Sequence, residues 1–209
     1  CCVIPGLKGT ERMIQRVEED KALRNELYRV GVPYDFHSIR LRDIRCDKEL
    51  VDLLLKSIRS GEFRRKLLNG NGYTVAGDNE AETNKLFYAL VKTCIIGRFR
   101  VEILDVSRIV MQVHKNWKHE VILAEEDCLE RLNNAEVLFL NNFCVLQIGE
   151  EYIKDCAFKF DYSSLLLNRL MDRKPIVVKY NCDSILIHRF WEPAFIKVLL
   201  ERNFPIIIN

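Results

Sequence analysis

The stretch GYTVAGDNEAETNKLFYALVKTCI, Gly72 to Ile95, decides how the rest of the chain is read. Tyr73 to Ala76 (YTVA) has strand character, and Lys85 to Ile96 places Leu86, Phe87, Leu90, Val91 and Cys94 at the spacing of an amphipathic helix. Gly77 to Asn84 falls between them and reads as a loop. A strand, a loop and a helix in that order form the first half of a parallel β-α-β unit, and VEILDV at 101–106 supplies the second strand.

The same alternation continues outward. RIVMQVHKNW (108–117) and EEDCLERLNN (125–134) read as helices, and AEVLFLN (135–141) as a nearly all-apolar strand of the kind covered on both faces in a parallel sheet. SSLLLNRLMD (163–172) is helical, PIVVKYN (175–181) is another buried strand, and FWEPAFIKVLLERN leads through a helix to the short strand PIIIN. On the amino-terminal side, Glu11 to Tyr28 has helical apolar spacing and ends at the turn signal GVP (31–33). Asp47 precedes a second helix, whose Leu50, Leu53, Leu54 and Ile58 recur on one face until Gly61. The expected fold is α/β, an αβα sandwich around a central parallel sheet, with ligands at the carboxyl ends of the strands. Residues 1–46 are read as a helical extension and linker and 47–209 as the core. The chain begins with Cys rather than Met, so the extension is read as trimmed.

Composition narrows the classes. With 48% hydrophobic and 30% charged residues but only 9 Gly and 5 Pro, the chain suits one compact domain. A net charge of +2 from 32 basic and 30 acidic side chains neither demands nor excludes nucleic acid. The 8 cysteines are scattered without a CxxC pair, and most sit in apolar runs, which reads as reduced, buried thiols. His114 and His119 have no carboxylate at ligand spacing, so no metal is expected. No apolar run reaches membrane-spanning length and no export signal is present, so the expected compartment is the cytoplasm.

A phosphate-cradling loop needs glycines so that amides can wrap the phosphates, a lysine to neutralise them, and a hydroxyl for magnesium. In that register only Gly77 is kept. Glu80 and Glu82 stand at glycine places, Thr83 at the lysine and Asn84 at the hydroxyl. Lys85 comes one residue later, rotated about 100° around the helix. Two carboxylates beside a triphosphate would each repel it by about 1–4 kcal/mol. Their simpler role is as anions near a helix amino terminus, where the dipole favours them by about 0.3–1 kcal/mol. AEVLFLNN ends in Asn141 and Asn142, where a hydrolytic ATPase carries two acids, and an amide neither takes up a proton at neutral pH nor charges a metal site.

With these motifs in place the chain resembles the bacterial replicative helicase loaders of the DnaC/DnaI type and the related IstB-type ATPases, all AAA+ proteins with a P-loop NTPase core. LYRVGVPYDFHSIRLRDI looks like the segment before the family's core, and GYTVAGDNEAETNKLFYALV fills its P-loop place. LNNAEVLFLNNF fills the place of its acidic strand end, and SLLLNRLMDRKPIVVKYN that of its sensor strand, with Asn181 at the sensor position. The family's arginine finger has no kept pattern in HRFWEPAF, where Arg189 stands nearest. In the family the helical stretch after the second strand faces single-stranded DNA; here it carries Arg108, Lys115, Trp117 and Lys118, cations beside an aromatic. The competing role for these residues is solvation of a helix face, with the indole in the core.

The resemblance together with the lost motifs implies a pseudo-ATPase without a cofactor. Such a protein would act in DNA replication by binding a replicative helicase or loader, with single-stranded DNA and self-association as further contacts and no membrane. Two alternatives remain: an unorthodox active ATPase holding ATP and magnesium through Asn84, Lys85 and Asn181, and a structural subunit serving assembly alone.

Overall fold

The computed structural model describes residues 7–45, 48–107, 130–143, 157–180 and 191–208. An amino-terminal helix, α1 (Leu7–Arg29), is followed by two 3-10 turns at Tyr34–Phe36 and Leu41–Asp43, then by α2 (Lys48–Arg59) and the short α3 (Glu62–Leu68). The core continues as β1 (Gly72–Gly77), α4 (Glu80–Ile96), β2 (Val101–Asp105), β3 (Val137–Asn141), α5 (Ala157–Met171), β4 (Ile176–Tyr180), α6 (Pro193–Arg202) and β5 (Asn203–Ile208). All strand pairings are parallel, in the order β2-β3-β4-β1-β5. The protein is an αβα sandwich with a central parallel sheet, as the alternation of strands and helices predicts.

Side-chain alternation along the strands explains why they are apolar throughout. Tyr73 and Val75 of β1, Val137 and Phe139 of β3, and Val177 of β4 face α4 and the amino-terminal helices. Leu138, Leu140, Ile176 and Val178 point the other way, against Leu166 and Leu170 of α5 and Phe195 and Leu199 of α6. Each such side chain, fully buried, stabilises the fold by about 1.5–3 kcal/mol. β3 lies between β2 and β4 and is buried at every residue, as its sequence predicts. Leu27 at the end of α1, with Val30, Val32, Leu41 and Ile44 beyond it, joins the same cluster as α4.

Two polar residues fix the layers. Asn203, at the start of β5, donates to Tyr73 O (3.1 Å), Thr74 Oγ1 (3.2 Å) and Ile176 O (3.0 Å), tying β5 to β1 and β4. Arg169 is 1% exposed and donates to the carbonyls of Leu132, Asn133 and Ala135, which closes the carboxyl end of the helical residues 130–134. Gly72 permits the close approach of β1 to β4, since a Cβ there would lie 1.9 Å from Ile176 O.

Several boundaries differ from the sequence reading. α3 was not anticipated: Gly61 ends α2, but the chain turns through a left-handed glycine (φ 75°) and resumes as a helix that buries Phe63 and Leu67. β5 begins at Asn203, before PIIIN, because Asn203 supplies the three bonds above. The largest difference is at Gly77–Asn84, and it bears on function.

Candidate functional site: a strand-end slot closed by the protein's own side chains

The carboxyl ends of β1, β2, β3 and β4 meet the amino end of α4, where an αβα protein presents its ligand site. The loop expected over Gly77–Asn84 is not one: the helix begins at Glu80, five residues before the expected Lys85, leaving only Asp78 and Asn79 between strand and helix. The physical reason is capping. Asn79 accepts the Glu82 amide on its side-chain oxygen (3.2 Å), and its carbonyl takes the Thr83 amide (2.9 Å) and the Thr83 hydroxyl (2.7 Å). Glu80 and Glu82 then occupy the first turn, where the helix dipole favours them. A phosphate loop wraps its amides around an anion; here the Glu82 and Thr83 amides are already engaged by Asn79.

Of the substituted positions, Glu82, Thr83 and Asn84 are engaged internally. Glu82 is buried, accepts the Arg45 amide at 2.6 Å and pairs with Lys85 Nζ at 2.5 Å. Burial would raise its carboxyl, but the Lys85 ammonium and the Arg45 amide together hold it below the usual carboxylate value. Thr83 is fully buried beneath the first turn. Glu80 is exposed at the rim. Asn84 accepts Lys179 Nζ at 2.5 Å.

Lys179 is the residue that sequence reasoning missed. It projects from β4 beneath α4, 2% exposed, with its ammonium 6.0 Å from the centre of the Phe87 ring. Burial lowers its pKa below the usual lysine value, while the charges of Glu80 and Asp105 oppose that shift. The available signal was a single lysine at the carboxyl end of an otherwise apolar strand, PIVVKYN. A cation at that place must meet either a ligand or an internal acceptor.

On the β2–β3 side, Asn141 is buried and its Nδ2 donates to Tyr88 Oη at 3.4 Å. Asn142 stands in the left-handed region (φ 52°), which asparagine tolerates better than most residues. Its Nδ2 lies 3.2 and 3.3 Å from the Asp105 carboxylate oxygens, and Asp105 also accepts the Ser107 amide (3.0 Å) and hydroxyl (2.5 Å). The structure thus brings Gly77, Glu80, Glu82, Thr83, Asn84, Asn141 and Asn142 to one end of the sheet. Asn181, Arg108, Lys115, Trp117, Lys118 and Arg189 lie outside the described residues.

The donor set does not fit magnesium nucleotide. No hydroxyl follows a lysine at the start of α4, the strand-end acids of β3 are amides, and Asp105 is already bonded to Ser107 and Asn142. Among the described residues no group of three His, Cys, Asp or Glu side chains could hold a metal ion. No described helix is long and apolar enough to cross a membrane.

Several solved structures have this architecture. The DnaC helicase loader aligns over 85% of this chain and 100% of its own, with a TM-score of 0.62 and 15% identity. DnaI aligns over 86% of this chain and 92% of its own, with a TM-score of 0.63 and 13% identity. AMPPCP-bound DnaA from Aquifex aeolicus aligns over 86% of this chain at a TM-score of 0.59 and 9% identity; only 51% of that chain is covered, so the present chain spans about half its length. No protein-family model matches the chain, and no curated protein does. The chain therefore shares the αβα fold of the solved DnaC helicase loader and DnaI structures, with a helix that begins at Glu80 directly after β1.

Proposed function

We propose that this chain is a catalytically silent, helicase-loader-like protein of DNA replication, which binds a replicative helicase or loader without hydrolysing ATP and works in the cytoplasm. The observation that carries the reading is the closed slot. Asn79 caps the helix where a loop should open, Glu82 is bound by Arg45 and Lys85, and Lys179 is bound by Asn84. A protein that keeps a nucleotide-binding frame while filling the site from within has the frame left to offer as a binding surface. The fold shared with DnaC and DnaI supports replication as the setting.

Two measurements test it. Magnesium-dependent phosphate release should not exceed that of a heat-treated control, and restoring one group, as in Thr83→Lys, should not create turnover, because catalytic groups of a unit are strongly non-additive. The purified chain should co-elute with the replicative helicase or the loader of its own host; failure to bind either would remove the reading. Single-stranded DNA is a second proposed contact through Arg108, Lys115, Trp117 and Lys118. Lys115→Ala and Lys118→Ala should each flatten the salt dependence of binding by about 0.7, and Trp117→Ala should cost about 1–3 kcal/mol if a base stacks there.

A second reading, an unorthodox nucleotide binder, draws on Lys179, whose ammonium lies where strand ends meet ligands. ATP-analogue binding that is lost in Lys179→Met would favour it. The Lys85 contribution that this reading invoked is diverted, since Lys85 Nζ pairs with Glu82.

A further inference from the structure

Opposite the closed slot, at the edge where the strands begin, three helices end in one repeated way. After α3, Gly70 N reaches Leu67 O and Asn71 N reaches Lys66 O. After α4, Arg98 N reaches Ile95 O and Phe99 N reaches Cys94 O; after α5, Arg173 N reaches Leu170 O and Lys174 N reaches Arg169 O. Each pair of bonds is a Schellman turn, whose central residue is left-handed and is usually glycine. Gly70 (φ 82°) follows the rule, as do Gly31 and Gly61 at other helix ends, but Arg98 (φ 63°) and Arg173 (φ 57°) break it. An L-residue with a Cβ is disfavoured there, so two arginines in one edge hold a strained conformation that glycine would relieve. Neither guanidinium donates a hydrogen bond within the described residues, and both side chains are exposed.

These arginines belong to a continuous surface. Arg64 of α3 donates to Gly97 O and lies 4.9 Å over the Phe99 ring, which joins α3 to the Arg98 turn. Gly70 packs directly on the Arg173 backbone, which joins the α3 end to the α5 turn. Leu68, Ile96 and Met171, the last residues of α3, α4 and α5, are 61%, 61% and 62% exposed. Arg65 and Arg100 add exposed cations. Acids also stand nearby: Glu62 pairs with Lys66 at 3.0 Å, Glu136 accepts the Arg100 amide, Asp172 is beside Arg173, and Glu26, Glu102 and Glu130 line a pocket with Arg100 in which Arg29 pairs with Glu26 and Glu102, so the cations left to a partner are Arg65, Arg98 and Arg173.

We propose that this edge is a docking surface for an acidic, amphipathic segment of a partner protein, its apolar side chains on Leu68, Ile96 and Met171 and its carboxylates on Arg65, Arg98 and Arg173. Exposed aliphatic side chains ringed by arginine suit a protein rather than a nucleic acid: they offer hydrophobic contact, and the exposed aromatic at this edge, Phe204, has its ring covered by Lys66 Nζ, 4.1 Å from the ring centre, so it offers a base no free stacking face. The charge pattern fixes the sign of the partner. The inference rests on the reading that this chain works by binding a protein, but not on the silence of the nucleotide slot.

The test uses fluorescence anisotropy with a labelled synthetic helical peptide carrying leucines on one face and glutamates on the other, a version with its leucines replaced by serine, and a single-stranded oligothymidine. The wild-type chain should bind the leucine peptide and bind the serine version about tenfold more weakly. Arg98→Gly with Arg173→Gly should weaken peptide binding about tenfold while leaving the melting temperature unchanged or about 2 °C higher, because glycine suits both turns. Leu68→Ser with Ile96→Ser should weaken it comparably. A lower melting temperature in the glycine pair with unchanged binding would show a purely structural role and overturn the proposal. So would peptide binding insensitive to both pairs of substitutions, absent peptide binding by the wild type, or tighter binding of the oligothymidine that the glycine pair abolishes. ATP turnover by the wild type would defeat the silent-ATPase reading and leave the anisotropy results to decide this one.

Discussion

Replacing the two partners of the Lys179–Asn84 contact separately and together tests whether the slot is closed from within. Lys179 is 2% exposed, whereas Asn84 is half-buried at the start of α4, and Nζ and Oδ1 are 2.5 Å apart. Asn84→Leu strands a buried ammonium that water cannot reach, and loss of a partner to a buried charge costs about 3 kcal/mol. Lys179→Met leaves only an amide oxygen that water can approach and also removes a charge that burial disfavours, so about 1 kcal/mol is expected. For a chain of this size each kcal/mol moves the melting temperature by about 2–4 °C, giving about 6–12 °C for Asn84→Leu and about 2–4 °C for Lys179→Met. The double variant should lose less than the sum, with a coupling of about 1.5–3 kcal/mol, since neither partner is left stranded. Calorimetric melts of the four proteins at one pH provide the cycle. Additive losses, or an Asn84→Leu protein as stable as wild type, would mean that the ammonium is not held by this amide.

The same contact has a pH signature. Because burial places the folded pKa of Lys179 below its unfolded value, the fold bears the full penalty of the charge below the folded pKa. It loses that penalty as pH rises toward about 10.5. Wild type should therefore gain stability relative to Lys179→Met between neutral pH and about 10.5, read from paired melts; a gap that narrows would contradict the burial. Arg169→Met should destabilise by about 3 kcal/mol or more, because the buried carbonyls of Leu132 and Ala135 lose their donor. Denaturant titration would show it, and a loss below about 0.5 kcal/mol would exclude the capping role. Gly72→Ala should cost about 3 kcal/mol or prevent folding, since its Cβ would sit 1.9 Å from Ile176 O between two central strands; a normally stable alanine variant would show that β1 and β4 can separate.

What the sequence determined by itself was the layered architecture. Strands such as VLFLN and IVVKY are apolar at consecutive positions because helices cover both faces of the sheet, and that pattern survives in one dimension. The absence of a phosphate-loop motif at Gly77–Asn84 was equally legible, since it is a matter of which residues are present. The sequence did not reveal that most of the expected loop is helix. Gly77–Asn84 reads as a loop when it is matched to a phosphate site, yet Asn79 caps a helix that starts at Glu80, a choice made by local hydrogen bonds. Lys179 and Asn84 are 95 positions apart, Asn142 and Asp105 are 37 apart, and Arg173 meets Gly70 from another helix end. Such pairs leave no local pattern, because charge and hydrogen-bond complementarity across a sheet depends on strand order. Only the order β2-β3-β4-β1-β5, which sets β4 beside β1, carries Lys179 beneath the first turn of α4.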